Sequence, residues 1–171
     1  MSAVLKPGSL LSEAALRQID REVAKYPADQ KQSAVMAALR IAQSERGWLS
    51  KELMQEIADV LQMPAIAVYE VASFYTMYNL APTGRHKITL CTNLPCALSG
   101  ANRAARHLQD KLGVGFNETT ADGAFTLKEG ECLGACGDAP VLLVDNHRMC
   151  SFMSNEKLDA LIDELRPAGS T

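Results

Sequence analysis

The chain is 171 residues long, 47% hydrophobic, 22% charged and only 5% aromatic, with a formal net charge of −3. That length suits one ordinary domain or two small ones, and the balance is globular rather than disordered. No basic surplus exists to neutralise phosphates, which argues against a nucleic-acid binder, and no apolar run approaches the roughly 20 residues that cross a bilayer.

The opening segment has no h-region and carries Glu13, Asp20 and Glu22. It reads as neither a secretory signal nor a transit peptide, so a cytoplasmic setting is expected. In Leu16, Ile19 and Val23 the apolar positions recur at three and four, with Ser12 as N-cap and Pro27 as stop. A second helix is expected from Asp29 or Ser33 to Gly47, burying Val35, Leu39 and Ala42. Ser50 caps a third carrying Leu53, Ile57 and Val60, and Pro64 fits the first turn of a fourth that runs toward Phe74. Short connections imply a helical bundle over residues 1–80.

The pattern changes near residues 78–86. Lys87 to Leu90 read as a strand ending at Cys91, and Ala101, Ala104, Leu108 and Leu112 line a helix closed by Gly113. Ala124 to Leu127 make a second strand, and Val141–Val144 and Met149–Phe152 flank Asp145-Asn146 as a hairpin. Leu158, Leu161, Ile162 and Leu165 complete a last helix capped by Ser154. The order β-α-β-β-β-α describes a small α/β layer over residues 81–171, and the whole chain is α+β.

Five cysteines occur, four of them in two tight pairs, Cys91/Cys96 and Cys132/Cys136. In a reducing compartment structural disulfides are not expected. Both pairs follow strands that should lie side by side, and loops at the carboxyl ends of such strands converge on one edge. Four thiolates from two loops can surround a diiron core, two for each iron. Gly130, Gly134 and Gly137 lie in or beside the second pair, where backbone amides can approach the sulfurs. No Lys or Arg lies between or immediately beside the four cysteines, so backbone dipoles would offset most of the negative charge, and a low reduction potential is expected.

Structural zinc is the alternative, although zinc ribbons usually use tighter two-residue spacers. A thiol–disulfide enzyme would show C-x-x-C at a helix start, which is absent. Cys150 reads as a small buried hydrophobe. His86, His107 and His147 have no metal-ligand spacing, and Glu129 and Glu131 read as solvated loop charges. Phe74, Tyr75, Met77 and Tyr78 are expected to pack in the core or at the seam between the halves, with a partner surface as the alternative. Pro140 follows Ala139 at a strand entry, where a cis bond is an uncommon option. There is no phosphate loop, nucleophile elbow or catalytic carboxylate pair.

The stretch from Leu90 through CTNLPC, then GECLGACGDAP through Asn146, resembles the thioredoxin-like [2Fe–2S] component, the E subunit, of respiratory NADH:quinone oxidoreductase, complex I. RIAQSERGWLS, IADVLQMP, VYEVASFYTMYN and ETTADGAFTL are also similar to that family, so the resemblance spans about residues 12–166. It departs at Gly130, where a bulkier residue is common, and at Cys150, which lies outside the pattern. The resemblance implies an N-terminal helical bundle followed by a thioredoxin-like α/β ferredoxin domain, with Cys91, Cys96, Cys132 and Cys136 as ligands of one [2Fe–2S] cluster. It implies single-electron transfer from FMN on a flavoprotein subunit that also binds NADH, with further iron–sulfur subunits as neighbours. The chain would lie at the cytoplasmic side of the bacterial inner membrane through its complex, without a span of its own. The same family serves NAD-linked formate dehydrogenases and hydrogenases, where it would be a diaphorase subunit. A zinc-stabilised interaction module and a free soluble ferredoxin are the other readings. The edge formed by residues 91–98 and 132–140 carries Leu94, Pro95, Ala97, Leu98, Leu133, Ala139 and Pro140, an apolar set suited to a protein contact or to shielding a cluster from water.

Overall fold

Serine hydroxyls start three of the helices, each accepting a backbone amide that a helix start leaves unpaired. Ser12 caps α1 (Glu13–Val23) through the Ala15 amide at 3.1 Å, and Ser50 caps α3 (Lys51–Leu61) through Leu53 at 3.1 Å. Ser154 does the same, more loosely, for α7 (Asn155–Leu165) through Lys157 at 3.4 Å. The computed structural model describes residues 8–166, and the chain divides into two units, Met1–Pro82 and Thr83–Thr171.

In the first unit a 3-10 turn, Lys31–Ala34, leads into α2 (Val35–Arg46), which ends at Gly47 with φ +81°. Pro64 stands at the N-cap of α4 (Ala65–Phe74) rather than inside its first turn. The apolar stripes meet as the periodicity predicts. Ile19, Leu39, Ile57 and Val68 are wholly buried in one core, with α1 on α2, α2 on α3, and α4 against both α2 and α3. The aromatic end of α4 departs from expectation. Phe74 is 78% exposed, and Tyr75 and Met77 are also exposed. Only Tyr78 is buried, its hydroxyl donating to the Met36 carbonyl at 2.9 Å.

The second unit is built on a mixed sheet of order β2-β3-β1-β4-β5. Its central strand β1 (His86–Cys91) pairs in parallel with β3 (Phe125–Gly130) and antiparallel with β4 (Leu142–Val144). The edges are β2 (Glu118–Thr119) and β5 (Arg148–Cys150). Asp145 and Asn146 both take positive φ in the β4–β5 hairpin, as an Asp-Asn turn favours. Ile88, Leu90, Phe125, Leu127, Leu142 and Val144 form one core with Leu108 of α6 (Ala101–Leu112) and with Leu158, Leu161 and Ile162 of α7. On the alternate register of β1 and β3 lie Lys87 and Thr126, both buried. Burial, then the Lys128 charge, pushes the Lys87 ammonium down to about 8 against the pull of Asp145. Among the described residues no single helix is long and apolar enough to cross a membrane.

Candidate metal centre

β1 and β3 run side by side and in parallel, so the loops that follow them leave the sheet at the same edge. Cys91 is the last residue of β1 and pairs with Gly130, the last of β3. The first loop folds at once into a short helix, α5 (Leu94–Leu98), capped by Asn93 through the Leu94 amide at 2.8 Å. Cys96 is the buried residue of this helix. Cys91 and Cys96 are each only 1% exposed, packed with Ala101 and Val141.

The second loop is built differently. Cys132 is followed by Gly134 at φ +74°, a left-handed conformation that turns its amide toward the Cys132 sulfur at 3.5 Å. Cys136 opens a 3-10 turn, Cys136–Asp138, and both Cys132 and Cys136 are exposed. The loop then passes through the cis Ala139–Pro140 bond into β4. Of the three glycines in and beside this loop, only Gly134 takes positive φ to direct an amide at sulfur. Gly130 is required for space, because a Cβ there would meet Thr89 Cγ2 at 2.8 Å, and Gly137 has room for one.

The four thiols thus fall into an inner pair and an outer pair. Burial, then the neighbouring Cys91 thiol, pushes the Cys96 thiol upward. The Cys132 thiol beside Cys136 raises Cys136, and Cys91 acts on it in the same sense. Cys96 and Cys136 thus resist ionisation, and a cation beside them would favour their thiolate forms. Among the described residues no three His, Cys, Asp or Glu side chains close on one ion position. The thiols form two pairs, one at the end of β1 and in α5, the other after β3. The donor set is all sulfur, with an inward-turned amide, and so fits an iron–sulfur group.

The remaining titratable side chains stand where their spacing implied. His86 Nδ1 lies 2.9 Å from Asp145, His107 Nε2 lies 2.9 Å from Asp159, and His147 Nδ1 lies 2.7 Å from the Asp145 carbonyl. Cys150 is part-buried on β5 against the sheet core, less deeply than expected. Glu129 and Glu131 are exposed, but they are engaged: Thr92 Oγ1 donates to Glu129 at 2.8 Å, and Asn93 Nδ2 reaches Glu131 at 3.5 Å. Neither link is legible in the sequence, which marks no pairing between side chains 37 and 38 positions apart.

Residues 19–166 match the thioredoxin-like [2Fe–2S] ferredoxin family. The chain is 42% identical over 145 residues to the E subunit of NADH-quinone oxidoreductase from Rickettsia bellii (strain RML369-C), covering 84% of this chain and 86% of that one. It is 42% identical over 153 residues to the E 2 subunit of NADH-quinone oxidoreductase from Rhizobium meliloti (strain 1021), covering 88% of each. Among solved structures, an NAD+-reducing [NiFe]-hydrogenase in the H2-reduced state superposes with a TM-score of 0.67 at 24% identity, over 77% of this chain. The match occupies 22% of that longer chain, and at this identity it shows the fold alone. With an all-thiol site at the carboxyl ends of two parallel strands, this chain belongs to the thioredoxin-like [2Fe–2S] ferredoxin family, the family of the E subunits of NADH-quinone oxidoreductases.

Proposed function

We propose that Cys91, Cys96, Cys132 and Cys136 hold one [2Fe–2S] cluster and that the chain receives single electrons from FMN on a partner subunit that binds NADH. The observation that carries this is the placement of two thiol pairs on the loops after adjacent parallel strands. When bound, the cluster supplies a centre that takes up and releases one electron at a time.

The chain's own residues divide the work around it. Cys91 and Cys96 would anchor the group from the core, where Ala101 and Val141 exclude water. Cys132 and Cys136 would hold its outer side, and the Gly134 amide offsets thiolate charge there. The acidic neighbours Glu129, Glu131 and Asp138, with no Lys or Arg in either loop, favour the oxidised state and hence a low potential. Around this outer edge Leu94 is 67% exposed, Leu98 81% and Phe152 56%, an apolar rim suited to a protein contact. The partner is the FMN- and NADH-binding flavoprotein of an NADH:quinone oxidoreductase, with further iron–sulfur subunits beyond it, and the assembly is peripheral at the cytoplasmic face of a bacterial inner membrane. Identity of 42% to the E subunits of such complexes, over most of the chain, favours this assembly over a formate dehydrogenase or hydrogenase.

Iron and acid-labile sulfide analysis of anaerobically prepared protein tests the reading. About two of each per chain are expected, with a paramagnetic signal that develops only on reduction. Stoichiometric zinc without labile sulfide would sink it in favour of a zinc-stabilised module.

A further inference from the structure

We infer that Thr92, Asn93, Glu129 and Glu131 form a side-chain brace that ties the loop after β1 to the end of β3 and to the first residue of the loop beyond it, and that this brace sets the spacing of the inner pair from the outer pair. The inference rests on the cluster reading above and concerns residues outside the ligand set. Backbone pairing between β1 and β3 runs out at the site itself. Its last contact beyond the strands is the Thr92 amide donating to the Gly130 carbonyl at 3.0 Å. Among the described residues, no backbone bond joins residues 131–135 to the first loop. One side-chain bond does so through a ligand, Cys91 Sγ to the Glu131 carbonyl at 3.1 Å. A thiolate has no proton to donate, so that bond is lost once Cys91 serves as a ligand.

What then remains is a pair of polar contacts, one to β3 just before its end and one to the loop itself. Thr92 Oγ1 donates to Glu129 Oε1 at 2.8 Å, a short bond strengthened by the carboxylate charge. Asn93 acts in two directions. Its Oδ1 accepts the Leu94 amide at 2.8 Å and starts α5, the helix that carries Cys96. Its Nδ2 points to Glu131 at 3.5 Å, a longer contact to the residue beside Cys132. A single side chain therefore links the helix of the buried thiol to the loop of the exposed ones. These are positioning residues: none is among the proposed ligands, and they act by fixing where the sulfurs stand.

Three variants of the cluster-loaded chain test this, read by the rate of visible bleaching under an iron chelator and by the paramagnetic line shape after reduction. Thr92→Val removes the hydroxyl without changing charge. Asn93→Asp keeps a good N-cap but replaces the donor with a carboxylate facing Glu131. Each is expected to bleach about fivefold faster than the wild type, the factor an ordinary hydrogen bond commands. Asn93→Asp combined with Glu131→Gln exchanges amide and carboxylate, and should return the rate to within about twofold of wild type with the original line shape. Wild-type protein lacking iron and labile sulfide overturns the cluster reading and the brace with it. Wild-type colour with unchanged bleaching in both single variants, or an exchange variant as labile as Asn93→Asp, overturns the brace alone.

Discussion

At the scale of single residues, spacing alone divides the five cysteines into four and one; in the structure Cys91 ends β1, Cys96 lies in α5, Cys132 and Cys136 follow β3, and Cys150 lies on β5. On the proposed ligand assignment, replacing Cys91, Cys96, Cys132 or Cys136 with Ala is expected to abolish or destabilise the visible spectrum, because iron would lose a thiolate. Cys150→Ala should keep the spectrum and cost at most about 2 kcal/mol of packing, measured by urea unfolding. The burial of Lys87 has no signal in the sequence, since a lysine in a strand is ordinarily solvated. Its folded pKa of about 8 lies below the ordinary 10.5. Between those values the unfolded chain binds the extra proton, so stability rises with pH through that window. Below it the charged amine is buried at full cost, and above it both states are neutral. The stability advantage of Lys87→Met over wild type should therefore shrink by up to about 3 kcal/mol from neutral pH to the upper end of the window. An unchanged gap in paired urea titrations would contradict this assignment.

At the scale of elements, helix starts were legible because a serine hydroxyl before an apolar stripe has one local job. Ser50→Ala is accordingly expected to destabilise the first unit by about 1 kcal/mol in thermal unfolding. The pieces that escaped were the short ones. α5 has five residues, too few for a period, and depends on the Asn93 cap and on the burial of Cys96. β2 has two, and exists only by pairing Glu118 and Thr119 with β3. β3 itself runs on to Gly130 because β1 continues to pair with it as far as Cys91. That register explains the glycine that looked like a departure. Gly130→Ala should destabilise the second unit by about 1–3 kcal/mol through its clash with Thr89 Cγ2. Adding Thr89→Ser, which deletes that methyl, should recover much of the loss, and calorimetry of the single and double variants decides it.

At the scale of the whole molecule, electron transfer needs a partner, as the chain's kinship to E subunits of NADH-quinone oxidoreductases implies. The exposed Leu94 and Leu98 stand out in the sequence as residues too apolar for open loops, whereas Phe152 reads there only as the end of a hairpin strand. It is exposed because the Phe152 and Met153 amides bond to the carbonyls of Asp138 and Pro140, fastening that segment to the second thiol loop. On the proposed function, the pure chain is expected to be reduced negligibly by NADH and readily once the proposed FMN-bearing partner is added. Leu98→Glu should weaken that association about tenfold or more while leaving the spectrum intact. Stopped-flow reduction and a binding titration read these two outcomes separately, and fast NADH reduction without flavin would refute the division of labour.

The unequal depth of the two thiol pairs also bears on which sulfurs a reagent meets. Cys91 and Cys96 are sealed in the core, while Cys132 and Cys136 face solvent. Alkylating reagents and oxidants therefore meet the 132–136 loop first, and timed labelling with mass mapping should find those two thiols modified ahead of the buried pair. Oxidative wear thus has one point of entry, the 132–136 loop.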